Sequence, residues 1–184
     1  MPRQVFLFDP PERFVAGTVG QPGDRTFYLQ AVGNGRSVSV ALEKMQVAVL
    51  AERLEELLAE VQRRLGVDLG DPTPELEDTA PLDIPVEEEF RVGTMGLAWD
   101  GEAGLVVVEV HAQTGEDDEE APEPLTDAVE GPDLLRVRIS ATAARAFISR
   151  AGRVVAAGRP PCPLCGLPLD PSGHVCPRQN GFRR

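Results

Sequence analysis

Apolar and polar positions alternate in short runs through the first forty residues, and then the period changes. Val5-Phe-Leu-Phe8 is a strand-like run stopped by Asp9-Pro10-Pro11. Phe14 to Val19, Thr26 to Val32 and Ser37 to Leu42 follow as further strands. In the third, Phe27, Leu29 and Ala31 fall on one face and Tyr28, Gln30 and Val32 on the other, the two-residue period of a strand. Gly20 to Asp24 is a turn by composition, and Gly33-Asn34-Gly35 signals a tight hairpin. These four strands read as one antiparallel meander.

From residue 44 the step becomes three or four. Val47, Leu50, Leu54, Leu57, Leu58, Val61 and Leu65 predict one amphipathic helix over 44–65, with Gly66 as its stop. Alternation returns in Glu88 to Trp99, where Phe90, Val92, Leu97 and Trp99 are expected inward. Asp100 to Gly104 forms the turn into Leu105 to Val110. Leu134 to Ile139 is a last strand with arginines alternating outward. Ser140 is a plausible N-cap for a second helix with Ala144, Phe147, Ile148, Ala151 and Val155 on one stripe, ended by Gly158 and Pro160.

The two halves rhyme, since in each the last strand feeds a helix directly. The expected fold is α+β: two antiparallel meanders each followed by a helix, ββββα-βββα, continuing into one sheet, with a small C-terminal zinc-knuckle tail. The body spans 1–158, with halves 1–67 and 86–158, and the tail spans 159–184. Meander-plus-helix repeats occur in some single-strand nucleic-acid binders, which is an analogy of fold alone.

Charge alters this picture through its placement. The chain has 184 residues and a formal net charge of −12. Yet Asp68 to Glu89 and Glu116 to Asp133 each hold nine acids and no base, 18 of the 30 acidic residues between them. The remainder is mildly basic, and from Leu134 onward nine arginines face one acid, Asp170. The acidic connectors, 68–89 and 113–133, are proline-rich or poor in large apolar residues. Little regular structure is expected in them, and disorder most of all in Gln113 to Asp133. No signal peptide or membrane-length apolar run is visible, so a cytoplasmic setting is expected.

Chemistry concentrates in the tail. All three cysteines, Cys162, Cys165 and Cys176, lie there with His174, spaced as Cys-x2-Cys, eight residues, then His-x-Cys. That ligand set suits a closed, tetrahedral, structural zinc site. Gly166 can take the positive φ needed after the knuckle, and Pro168, Asp170, Pro171 and Gly173 can turn the chain so that His174 and Cys176 meet the same ion. A disulfide fits poorly with an odd count of cysteines, and a redox pair fits poorly with the prolines around it. Iron remains an alternative occupant, although zinc is the usual ion in such a site.

Three stretches, Val5 to Gly20, Val38 to Leu54 and Cys162 to Gly181, resemble motifs of an uncharacterised actinobacterial family. That family is found beside a histidine-phosphatase-like protein and a kinase-like protein. The resemblance implies a bacterial cytoplasmic setting and a tail that is a defined unit; it implies no activity.

Catalytic signals are sparse. Outside the tail the one histidine is His111, with Glu109 on the same strand face, an arrangement open to a base and its orienter. The glycines form no phosphate loop, so no organic cofactor is expected. Arg136, Arg138, Arg145, Arg150, Arg153 and Arg178 beside a zinc unit open a nucleic-acid reading, opposed by the overall acidity and a single lysine. Phe182, among terminal arginines, is a candidate anchor for a partner's pocket. The reading that results is a non-enzymatic binding or adaptor protein whose zinc-stabilised tail meets a protein partner.

Overall fold

Two-residue turns close the first hairpins. In the computed structural model β2 (Arg13–Gln21) and β3 (Asp24–Gly33) pair antiparallel across Pro22-Gly23, and β3 pairs with β4 (Arg36–Leu42) across Asn34-Gly35. Asn34 and Gly35 both take positive φ, 52° and 73°, as a tight hairpin turn matched to strand twist requires. The structure describes residues 2–70, 78–115, 125–158, 162–167, 169 and 176–178. Before these hairpins comes β1 (Val5–Phe8); after them come α1 (Lys44–Leu65), β5 (Glu88–Asp100), β6 (Leu105–Ala112), β7 (Leu134–Ile139) and α2 (Ala141–Ala156). The seven strands form one sheet in the order β1-β7-β6-β5-β4-β3-β2.

That order corrects the first meander. The strand at Val5–Phe8 does not join β2; it runs parallel to β7 at the opposite end of the sheet, Phe6 opposite Leu135 and Phe8 opposite Val137. Asp9-Pro10-Pro11-Glu12 is no hairpin turn, because its two prolines lack N–H donors. β7 would otherwise present an unpaired edge, and β1 satisfies it while delivering Phe6 and Phe8 to the core, 6% and 0% exposed.

β5 carries out in one strand what β1 and β2 do in two. Its first residues pair parallel with β4, Ser39 opposite Glu88 and Ala41 opposite Arg91. From Val92 onward it pairs antiparallel with β6. A register shift between Val92 and Met95 separates the two parts. Such an irregularity reverses which parity faces inward, so Phe90 and Val92 are followed on the core side by Met95, Leu97 and Trp99.

Both helices start one residue past a strand. Glu43 opens α1 with a capping box completed by Gln46, and the Ser140 hydroxyl accepts the Ala143 N–H at the start of α2. The helices lie against each other, with α1 also on β5 and α2 on β2. Between helices and sheet lies one core that includes Leu29, Val40, Leu50, Leu54, Val108, Val137 and Phe147. Phe14 stacks on Phe147 at 4.7 Å between centroids and seats α2 on the sheet edge. Among the described residues no helix is long and apolar enough to cross a membrane.

Parts of both acidic connectors lie on the opposite face of the sheet. In the first, Arg13 reaches Asp78 (2.5 Å) and Asp83 (2.8 Å) and the carbonyls of Ala80 and Pro81. Gln30, fully buried, holds both the N–H and the carbonyl of Asp83, and Leu82 packs where a side chain on Gly17 would stand. Of the second connector, the stretch expected to be disordered, residues 116–124 lie outside the described residues.

Candidate metal centre

The turn Cys162-Pro-Leu-Cys-Gly166 is closed by its own backbone. The Gly166 N–H donates to the Cys162 carbonyl at 2.9 Å, the Cys162 N–H donates to the Leu167 carbonyl at 2.7 Å, and Gly166 sits at φ 76°. Such a tight loop aims amides inward: the N–H groups of Cys165 and Leu164 hold the Cys162 thiol down, to a pKa of about 6. Donors that stabilise a thiolate also prepare a metal ligand. At Cys165 the Leu167 N–H pulls the same way, but desolvation and the neighbouring Cys162 sulfur push it above the ordinary thiol value. Two adjacent thiolates repel, and a cation between them removes that cost.

The sulfurs of Cys162, Cys165 and Cys176 all lie within 4.8 Å of one another, and none is in a disulfide. Cys162 and Cys176 are buried, with their sulfurs 3.9 Å apart. Four ligands at about 2.3 Å in a tetrahedron put neighbouring sulfurs about 3.8 Å apart. The donor set therefore fits a metal ion, and three converging cysteines can hold one. His174, expected as fourth ligand, lies outside the described residues, as does Phe182.

The tail begins where α2 ends. Arg25 on β3 donates to the carbonyls of Val154 and Ala157, which α2 leaves unpaired at its last turn. Gly158 then passes close to Lys44 and Arg25.

The arginines singled out from sequence have other occupations. Arg136 is bound to Glu109 and Asp127, and Arg138 to Asp9 and Asp100. Arg145 donates to the carbonyls of Leu69 and Gly70. Arg150 is 6% exposed and donates to the carbonyls of Ala16, Asp78 and Ala80. Arg153 and Arg178 are exposed. Sequence reasoning read these side chains as a basic surface; what it missed is that Arg13 and Arg150 clamp one acidic connector, and Arg3 and Arg136 the other. The lack of any base inside either connector was the available signal, since such charge calls for partners elsewhere in the fold.

Glu109 and His111 do come together, and they are sealed. Both are fully buried, with Glu109 Oε1 2.6 Å from His111 Nε2. The carboxylate also accepts the Leu125 N–H (2.9 Å) and Arg136 Nε–H (2.8 Å). Burial raises its pKa, but these donors together pull it below the ordinary carboxylate value. Burial is the largest influence on His111 and lowers its pKa; Glu109 raises it, and with Arg3 and Arg136 also opposing the charge the ring lies below the ordinary histidine value. Two shallow clefts, of about 310 and 280 Å³, lie elsewhere, one beside Arg13, Asp78 and Phe147 and one beside Leu50 and Met95. Neither includes Glu109 or His111.

Comparison with curated proteins and with solved structures returns no match. Residues 6–176 match the family described as protein of unknown function DUF3090, a span that takes in nearly the whole body and closes on Cys176, so the chain belongs to that family.

Proposed function

We propose that this chain is a non-enzymatic binding protein whose C-terminal tail is organised by a structural zinc ion and offered to a protein partner. Cys162, Cys165 and Cys176 are its thiolate ligands, and His174 closes the set. The observation that carries the reading is the convergence of three sulfurs within 4.8 Å on a turn whose amides favour the thiolate form. Three thiolates and one imidazole saturate a tetrahedral ion, which leaves no position for substrate and makes the ion structural. The non-enzymatic part rests on the burial of Glu109 and His111, whose hydrogen bonds all serve the fold. The internal pairing of Arg136, Arg138, Arg145 and Arg150 weighs against the nucleic-acid alternative, because their charge is already met by acids and carbonyls.

Metal analysis of freshly purified, reduced protein tests the reading. One zinc per chain is expected, lost in Cys165→Ser and in Cys176→Ser while far-ultraviolet circular dichroism of the body stays unchanged. Protein without metal, or metal retained in both variants, overturns it. Salt then separates the partners: a protein interface formed by the tail should weaken little between low and high salt, whereas phosphate binding should fall steeply.

A further inference from the structure

The sealed histidine does have one property that the fold leaves open: it can titrate. His111 sits at the meeting point of three pieces of chain. The N-terminal arm reaches it through Arg3, whose Nη2 lies 3.4 Å from His111 Nδ1. An arginine has only donors, so Nδ1 must be the accepting nitrogen and Nε2 carries the hydrogen that goes to Glu109. The two contacts therefore select one neutral tautomer.

The same arginine ties the connector down. Arg3 donates to the carbonyls of Pro132 (3.0 Å), Thr126 and Ala128 (both 3.4 Å), and its own N–H donates to the Val129 carbonyl at 3.1 Å. Glu109 holds the Leu125 N–H from below. Residues 125–133 thus form a strap across β6 and β7, fastened at one end by Glu109 and along its length by Arg3.

We propose that His111 is a neutral-imidazole latch, and that its protonation releases the strap 125–133 and the N-terminal arm from the sheet. A proton on Nδ1 removes the acceptor for Arg3 and sets two cations against each other in a buried place. The charged groups around the ring come from every element that meets there. They are Glu109 on β6, Arg136 on β7 and Arg3 on the arm, with Asp127 and Asp133 from the strap. Asp127 is engaged with Arg136, and the Asp133 carboxylate takes the Gln4 N–H. Glu109 favours the imidazolium; Arg3 and Arg136 oppose it, and so does burial. The ring consequently stays neutral below the pH at which a free histidine charges, and the unfastened arrangement, where water reaches it, binds the proton more readily. Each unit of acidification between the two values favours release by about tenfold. The donors around Glu109 hold its carboxyl below the ordinary carboxylate value, so release around the ordinary histidine value belongs to the imidazole.

Amide hydrogen exchange, corrected for the intrinsic effect of pH, reads the latch directly. Protection at Arg3 and Leu125 should fall about tenfold or more between about pH 7.5 and about pH 5, either side of the ordinary histidine value. Leu54, in the middle of α1, should keep its protection. His111→Gln retains one donor and one acceptor without titrating, and in it the protection of Arg3 and Leu125 should be the same at both values. Loss of protection in His111→Gln equal to that of the wild type overturns the proposal, as does simultaneous loss at Leu54 or no loss in the wild type. Should His111→Gln fail to fold, Arg3→Met serves: with the guanidinium gone, the midpoint of the His111 ring-proton shift should move up, and an unmoved midpoint overturns the latch.

Discussion

Arg150 is the most informative residue to replace, because it is a buried cation that donates to backbone carbonyls on two separate segments. Arg150→Met keeps an unbranched apolar stem on α2 and removes the guanidinium. The Ala16 carbonyl, accepting from Nε at 2.7 Å on a fully buried residue, is then left without that donor. An unsatisfied buried acceptor costs about 1–3 kcal/mol. The carbonyls of Asp78 and Ala80, at 2.7 and 2.6 Å from Nη1, lie nearer solvent and recover water, so roughly half a kcal/mol each is a fair charge. The sum is about 3 kcal/mol, which at a urea dependence of about 2 kcal/mol/M lowers the unfolding midpoint by about 1.5 M. The ion pair contributes little to this total. Asp78 is 3.3 Å from Nη1, its side chain is 32% exposed, and it keeps Arg13. A double-mutant cycle with Asp78→Asn should therefore return a coupling below about 1 kcal/mol. Arg150→Lys should recover less than half of the loss, since one ammonium cannot span carbonyls on two segments. A cost for Arg150→Met under about 1 kcal/mol, or a coupling that accounts for most of it, would refute the reasoning.

Gly17→Ala should destabilise by about 1–3 kcal/mol through overpacking, because a Cβ there would stand 2.5 Å from Leu82 Cδ2; adding Leu82→Ala should restore part of that in urea titrations. Glu109→Gln should cost about 3 kcal/mol by breaking a buried charge pair, and Arg136→Met on top of it should add much less than it does alone. In a His111→Gln background, stability should hold above the free-carboxylate range near pH 4 and fall on further acidification. The sign follows from depressed folded values: Arg13 holds Asp78 below the ordinary carboxylate, and the donors around Glu109 overcome its burial, so the unfolded chain binds protons first. A stability that rises on acidification through that range would contradict the assignment.

Local pattern made most of the fold legible. Alternation, the Asn34-Gly35 turn and the seven-position apolar stripe of α1 report contacts between near neighbours in sequence, and those are set by backbone geometry. Partners across the sheet are a different matter. Nothing within Val5–Phe8 distinguishes pairing with β2 from pairing with β7; that choice depends on which edge is left open once the other strands have assembled. The parity change in β5 was half visible, because Phe90 and Val92 cannot face the same way as Leu97 and Trp99 on a regular strand, and Gly93 lies between them. At the tail, spacing alone led to three converging cysteines. At the connectors, composition suggested slack polymer, whereas the described segments are held in part by arginines more than sixty residues away in sequence, as in Arg13 with Asp78 and Arg3 with Pro132. Burial of Arg150 on the inner side of α2 was illegible for the same reason, since its acceptors belong to β2 and the first connector.

The strand exchange explains why the two halves make one unit. Each half contributes a three-strand meander that feeds a helix, and each leaves the outer edge of its last strand unpaired. β1, from the first half, covers β7 of the second; the opening residues of β5, from the second, cover β4 of the first. The helices cross over likewise, α1 onto β5 and α2 onto β2. Neither half can therefore satisfy its ladder or bury its helix alone, which is the condition for a single cooperative unit rather than two beads. The connectors follow the same plan on the opposite face. In the first half a buried polar residue on the central strand, Gln30, holds Asp83; in the second, Glu109 on the central strand holds Leu125. The equivalence is one of position and differs in chemistry: an amide that does not titrate fastens one strap, and a carboxylate paired with an imidazole fastens the other. Mild acid can act on the imidazole of the second fastening and not on the Gln30 amide of the first, whose connector responds only when the Asp78 carboxylate held by Arg13 is protonated, so the asymmetry between Gln30 and the Glu109–His111 pair separates the two connectors in pH.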